Sequence, residues 1–185
     1  MQAHPTANLF PMMSNDEYAA LVADIHQYGQ REPIWTLDGQ ILDGRNRWQA
    51  CRDLGIQPIT REYTGPTDMT TLVSFVVSLN LKRRHLSGSQ KAAVGTKIKD
   101  QLQEANPPGR PSITENVGNI SYISTDSNKQ NRDLAGEIVG VSGRYIDEAD
   151  RIQEAAPDLF DELLAGTMSI PDAKREMKAR EKEHA

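Results

Sequence analysis

This chain of 185 residues has a single cysteine, Cys51, which excludes an internal disulfide and a thiolate zinc cluster within one chain. Aromatic residues make up only 5 % of it, so its core must be built from aliphatic side chains. It has no apolar run near the roughly 18 residues that span a bilayer. The longest tract, around Leu72–Leu81, is interrupted by Ser74, Ser78 and Asn80. Met1-Gln2-Ala3-His4-Pro5 lacks the basic-then-apolar pattern of a secretory leader, and a cytoplasmic protein without membrane contact is expected. Net positive charge is lacking too: the formal charge is −5, which argues against coating nucleic acid with the whole surface but leaves room for a local basic face. Cation is indeed localised, with seven Lys/Arg against two acids from Asn80 to Arg110, and one arginine against five acids in the first forty residues.

The first half alternates helix and strand signals. Ser14-Asn15-Asp16-Glu17 is a capping box opening a helix to about Tyr28, with Tyr18, Leu21, Val22 and Ile25 on one face and Gly29 ending it. Pro33–Leu37 and Gln40–Leu42 around Asp38-Gly39 predict a β-hairpin with a two-residue turn, and Pro58–Tyr63 a third short strand. Asp68–Leu79 predicts a helix burying Leu72, Val73, Val76, Val77 and Leu79. A second capping box, Ser87-Gly88-Ser89-Gln90, starts a helix to about Ala105. Residues 106–128 are rich in Pro, Gly, Ser, Asn and Thr, the composition of a flexible linker. Helices follow at about 130–139, 143–156, 158–165 and 170–183. The expected organisation is α+β: a small α/β domain over 1–105, the linker, and an all-helical region over 129–185.

Two junctions have the chemistry of a phosphate site. Asp43-Gly44 supports a tight turn, and a helix opens at once with Arg45, Asn46 and Arg47. Unpaired amides and the positive dipole end of that helix, joined by arginines, suit phosphate. Asn80-Leu81-Lys82-Arg83-Arg84-His85 puts three cations in a row just before the helix capped by Ser87. Arg47 and Arg83 are expected at a solvent-open cleft. Cys51 is expected to be a buried thiol. Further on, Gly136, Gly140 and Ile146 stand at the spacing of a helix-turn-helix, with Ser142 as N-cap of the second helix. Its DNA-facing residues would be Ser142, Arg144, Tyr145 and Arg151, although Asp147, Glu148 and Asp150 share that helix.

Three segments resemble ParB-type N-terminal domains. Leu21–Ile25 with Gly29-Gln30-Arg31-Glu32-Pro33-Ile34 resembles their opening, which ends in G-x-x-x-P-I. Leu42–Ala50 is similar to their G-E-R-R-x-x-A box, and Asn80–Ser87 to their E-N-φ-x-R box. The resemblance covers about residues 4–165 and implies the ParB/sulfiredoxin fold, DNA as a partner, and a nucleoside triphosphate such as CTP or ATP, with Mg²⁺, as ligand. In ParB proteins CTP and Mg²⁺ gate clamping on DNA. It places Gly44, Arg45, Asn46 and Arg47 in the first box and Asn80, Arg83 and Arg84 in the second, with Lys82 beside them, and allows a homodimer.

A partition or transcription-regulating protein of a short plasmid, phage or mobile-element type is implied; an NTPase, a nuclease or a small-molecule kinase of the same fold is the alternative. The box glutamate after Gly44 is here Arg45, and the one before the asparagine is Leu79. Asn80 alone remains as a weak metal ligand. Nucleotide binding with little or no hydrolysis is therefore expected. Sulfiredoxin activity is not, because its cysteine segment reads Arg45-Asn46-Arg47.

Overall fold

The computed structural model describes residues 1–81, 86–105 and 131–183. The chain divides into two compact units, Met1–Thr67 and Asp68–Ala185.

In the first unit, α1 (Asn15–Tyr28) starts at the reciprocal Ser14/Glu17 box and stops at Gly29, whose φ of +75° suits glycine. Strands β1 (Ile34–Leu37) and β2 (Gln40–Asp43) form an antiparallel hairpin. Its turn has φ of +48° at Asp38 and +73° at Gly39, both in the left-handed region that twists the turn to match the strands. Helix α2 (Arg45–Asp53) then carries the chain back to β3 (Thr60–Glu62), which pairs parallel to β1 and gives the order β2-β1-β3. Ile25 of α1 packs on Ala50 and Cys51 of α2, with Tyr18, Leu21, Val22 and Leu54 around them. A 3-10 turn at Pro5–Leu9 follows residues that cover the free edge of β2: Ile41 N–H donates to Gln2 O, and His4 N–H to Ile41 O, both at 2.9 Å.

The second unit is helical among its described residues: α3 (Met69–Leu81), α4 (Gly88–Ala105), α5 (Asn131–Val139), α6 (Gly143–Ala155), α7 (Pro157–Ala165) and α8 (Ile170–Glu183). Helix α4 is its axis. Ala92, Ala93, Val94, Ile98 and Leu102 are buried under α5, α6 and α7. Gly95 leaves room for α6, since a Cβ there would lie 2.1 Å from Ile146 Cδ1. In α3, Leu72, Val73, Val76 and Val77 are buried as expected, while Leu79 is only half-buried.

The composition places a boundary near residue 105, but the compact units divide at Thr67. Helices α3 and α4 carry aliphatic faces that the later helices cover, so they group with those helices. The expected linker 106–128 lies outside the described residues. No helix among the described residues is long and apolar enough to cross a membrane.

Candidate phosphate junction and nucleic-acid interface

Gly44 occupies the N-cap of α2 at φ +102°, ψ 25°. A Cβ there would sit 3.0 Å from Arg47 Nη2 and 3.2 Å from Ile34 Cγ1, so both backbone and space call for glycine. Arg47 folds back under this turn. Its Nη2 donates to Asp43 Oδ2 at 3.0 Å and to Pro33 O at 3.2 Å. With side chains 15 % and 8 % exposed, Arg47 and Asp43 form a largely buried i,i+4 pair. Arg45 reaches the other way, donating to Asn8 Oδ1 at 2.7 Å and to Phe10 O. Asn46 Oδ1 accepts from Met13 N at 3.3 Å.

The first-box side chains thus bind the segment before α1, the entry to β1 and the end of β2 around one helix start. The solvent-open setting expected for Arg47 is corrected: a carboxylate one helical turn away and the carbonyl of Pro33, just before β1, draw the side chain inward. It still lines a cleft of about 340 Å³ with Asp24, Gln30, Arg31 and Glu32. Arg31 is itself paired with Asp24 at 2.6 Å.

The sequence offers no sign of what Gln30 does. Its buried amide donates to Glu32 O and Ile59 O, each at 2.8 Å. Its Oε1 accepts from Ile59 N at 2.8 Å and from Cys51 Sγ at 3.3 Å. It therefore stitches the approach to β1 to the approach to β3, which is what a buried amide must do to be satisfied. Cys51 is fully buried, and burial pushes its thiol up, against the opposing pull of Arg47. As expected, it is a packing residue.

In the second unit, Asn80 is buried at the end of α3 and donates from Nδ2 to Val76 O at 2.9 Å. Lys82, Arg83 and Arg84 lie outside the described residues. Ser87 caps α4 as the sequence indicates: Gln90 N donates to Ser87 Oγ at 3.2 Å and Ser87 N to Gln90 Oε1 at 3.0 Å. Among the described residues no cluster of three or more His, Cys, Asp or Glu could hold a metal.

Helices α5 and α6 meet through a tight turn. Gly140 has φ +74°, and Val141 N donates to Gly136 O at 2.9 Å. A Cβ on Gly136 would stand 2.7 Å from Val141 O, so α5 can carry the turn this close only with glycine at that point. Ser142 caps α6 by accepting from Tyr145 N at 3.3 Å, and Ile146 is buried. Tyr145 turns its hydroxyl towards α4, 3.0 Å from Ser89 Oγ.

Three of the four acids of α6 are each held by a cation from another helix, while Glu154, near its C-terminal end, is exposed. Asp147 Oδ2 lies 2.6 Å from Arg132 Nη1 of α5, Glu148 Oε2 2.7 Å from Lys174 Nζ of α8, and Asp150 Oδ2 2.6 Å from Lys99 Nζ of α4. Arg144, 89 % exposed, and Arg151, also exposed, stand two helical turns apart on one side of α6.

This architecture is similar to that of a solved structure, the C2221 form of a Pnob8-like ParB-N domain. The TM-score is 0.61 at 15 % sequence identity, over 93 % of this chain and 73 % of the other. The chain has a ParB-N fold. No protein-family model matches the sequence, and no curated protein matches it.

On this ParB-N fold, the three segments that resemble ParB domains in sequence occupy three structural corners. Gly29–Ile34 joins α1 to β1 around Gln30, Gly44–Arg47 starts α2, and Asn80 closes α3. Arg45, standing where the box has glutamate, is taken up by Asn8 and Phe10.

Proposed function

We propose that this chain is a ParB-like DNA-binding protein, of partition or transcription-regulator type, whose first unit binds a nucleoside triphosphate or phosphate as a conformational switch. One observation carries the DNA reading. The α5–turn–α6 pair has helix-turn-helix spacing, and its second helix exposes Arg144 and Arg151 while Asp147, Glu148 and Asp150 are each paired with a cation from a neighbouring helix. Such a helix enters a groove by its N-terminal turn, where Ser142, Arg144 and Tyr145 lie, and Arg151 follows towards the backbone. Phosphate contacts of this kind set affinity and register.

For the nucleotide, the support is chemical. The start of α2 has no acid in its first turn and no side-chain cap, and Arg45 and Arg47 place two guanidinium groups at the positive end of its dipole. The second box, Asn80, Lys82, Arg83 and Arg84, has the same phosphate-suited chemistry in the sequence. Mg²⁺, where bound, would neutralise phosphate charge, with Asn80 as a neutral donor. A ligand that binds one conformational state better than another would shift the population of DNA-binding states.

The test is fluorescence anisotropy with duplex DNA over a salt series, with and without CTP or ATP and Mg²⁺, together with calorimetry for the nucleotides. A steep fall of affinity with salt, and loss of at least tenfold in Arg144→Ala, are expected. An Arg83→Ala variant should lose at least tenfold in nucleotide affinity, since charge-assisted bonds to phosphate are worth about 1.5–3 kcal/mol. No DNA binding at low salt would overturn the DNA reading. Unchanged calorimetry in Arg83→Ala and in a folded Arg47 variant would overturn the nucleotide site.

A further inference from the structure

We infer that Lys174 of α8 is a positioning residue for DNA binding, which draws Glu148 towards α8, keeps its ion pair with Arg144 long, and so leaves that guanidinium exposed to a phosphate. The inference rests on the DNA reading above.

Glu148 lies one turn after Arg144 and one turn before Arg151, on the side of α6 that carries both. An acid there would be expected to fold onto Arg144 and cancel it. The carboxylate is instead divided unequally: Oε2 lies 2.7 Å from Lys174 Nζ, while Oε1 stays 3.7 Å from Arg144 Nε. Glu148 is 22 % exposed and Arg144 89 %. The lysine thus draws the acid towards α8, and the arginine stands out from the helix.

Helix α8 is fixed where it does this. Ile170 and Ala173 are buried, and the Ile170 amide donates at 3.0 Å to Ser89 Oγ, itself buried at the start of α4. The same Ser89 oxygen meets the Tyr145 hydroxyl, so one side chain registers α4, the start of α6 and the start of α8. Lys174, one turn past Ile170, is therefore delivered to Glu148 by buried contacts and is more than a mobile surface cation.

The experiment is a double-mutant cycle on the full chain, read by anisotropy with duplex DNA at several salt concentrations. Lys174→Met keeps the aliphatic stem and removes the charge, Glu148→Gln removes the acid, and the double variant removes both. Far-UV circular dichroism and the melting midpoint check that each is folded. Lys174→Met should weaken binding on the order of threefold to fivefold at low salt, the scale of a surface ion pair, with the loss fading as salt rises. Glu148→Gln should bind at least as tightly as the natural chain. The double variant should regain natural affinity.

A direct phosphate contact by Lys174, which is 48 % exposed, makes the opposite forecast: the double variant would stay weak and the salt slope would drop by about one. That result overturns the inference, as does an unchanged affinity in Lys174→Met, and either leaves the DNA reading standing. No binding by the natural chain at low salt would overturn the DNA reading and the inference together.

Discussion

Lys99 of α4 and Asp150 of α6 lie 2.6 Å apart, Nζ to Oδ2, with side chains only 16 % and 24 % exposed. The pair ties the axis of the helical unit to the helix proposed to meet DNA, and it cancels an acid that would otherwise repel phosphate. Lys99→Met should therefore cost about 1 kcal/mol or less in stability. Its larger effect should be a several-fold loss of DNA affinity at low salt that disappears at high salt. Urea unfolding and a salt titration of binding separate the two; a loss that persisted at high salt would mean that α6 itself had shifted.

Arg47 should be needed for the fold. Removing it leaves Asp43 buried beside Pro33 O without its guanidinium partner, and breaking a buried pair from one side costs on the order of 2–4 kcal/mol. Arg47→Ala should lower the urea midpoint clearly. Nucleotide calorimetry on that variant means something only where circular dichroism shows it folded.

At Gly136 two effects compete. Alanine is the better helix former by about 1 kcal/mol, yet its Cβ would press on the backbone oxygen of Val141, which cannot rotate away. The clash should win, with a net loss of about 1–3 kcal/mol in Gly136→Ala. Thermal melting reads this directly, and a raised midpoint would show that the turn relaxes.

His4 makes stability depend on pH. Burial lowers its pKa below the usual 6.5, only partly opposed by Asp38. Its Nδ1 accepts from Thr6 N at 3.3 Å, so the neutral ring caps the 3-10 turn. When the folded pKa lies below the unfolded one, the unfolded chain takes up the proton first. Stability is then full above about 6.5 and falls as pH drops towards the folded value. An NMR titration should place the His4 midpoint below that of a free histidine. The difference in stability between the natural chain and His4→Asn, whose amide can still cap, should shrink from pH 7.5 to pH 5.5.

Hydrolysis of a bound triphosphate should be slow or absent. Transfer needs a metal-held phosphate and an oriented water. By the ParB resemblance Leu79 stands where a carboxylate would help hold Mg²⁺, Asn80 offers only a neutral amide oxygen, and Asp43 is engaged by Arg47. A steady-state assay should show little phosphate release. Several Mg²⁺-dependent turnovers per minute, lost in Asp43→Asn, would make the chain an enzyme of this fold instead.

The elements of this protein could be read from the chain because their signals are local. A reciprocal cap at Ser14 and Glu17, Asp38-Gly39 between two short apolar runs, and glycine at residues 29, 44 and 140 act within a few residues of themselves. Those pieces start and stop where the sequence says. The crossing of α5 and α6 was also legible, since glycine at 136 and a β-branched residue at 146 recur at a spacing that geometry dictates. What the side chains do once the pieces meet was decided only by the tertiary structure. Arg47 reads as a surface cation until β1 brings Pro33 O to it. Gln30 reads as a loop residue until residues 51 and 59 fold around its amide. Asp147, Glu148 and Asp150 of α6 read as an obstacle to DNA until Lys99, Arg132 and Lys174 arrive from three other helices. These partners stand from 15 to 51 residues away along the chain, a distance that helical and strand periodicities do not span.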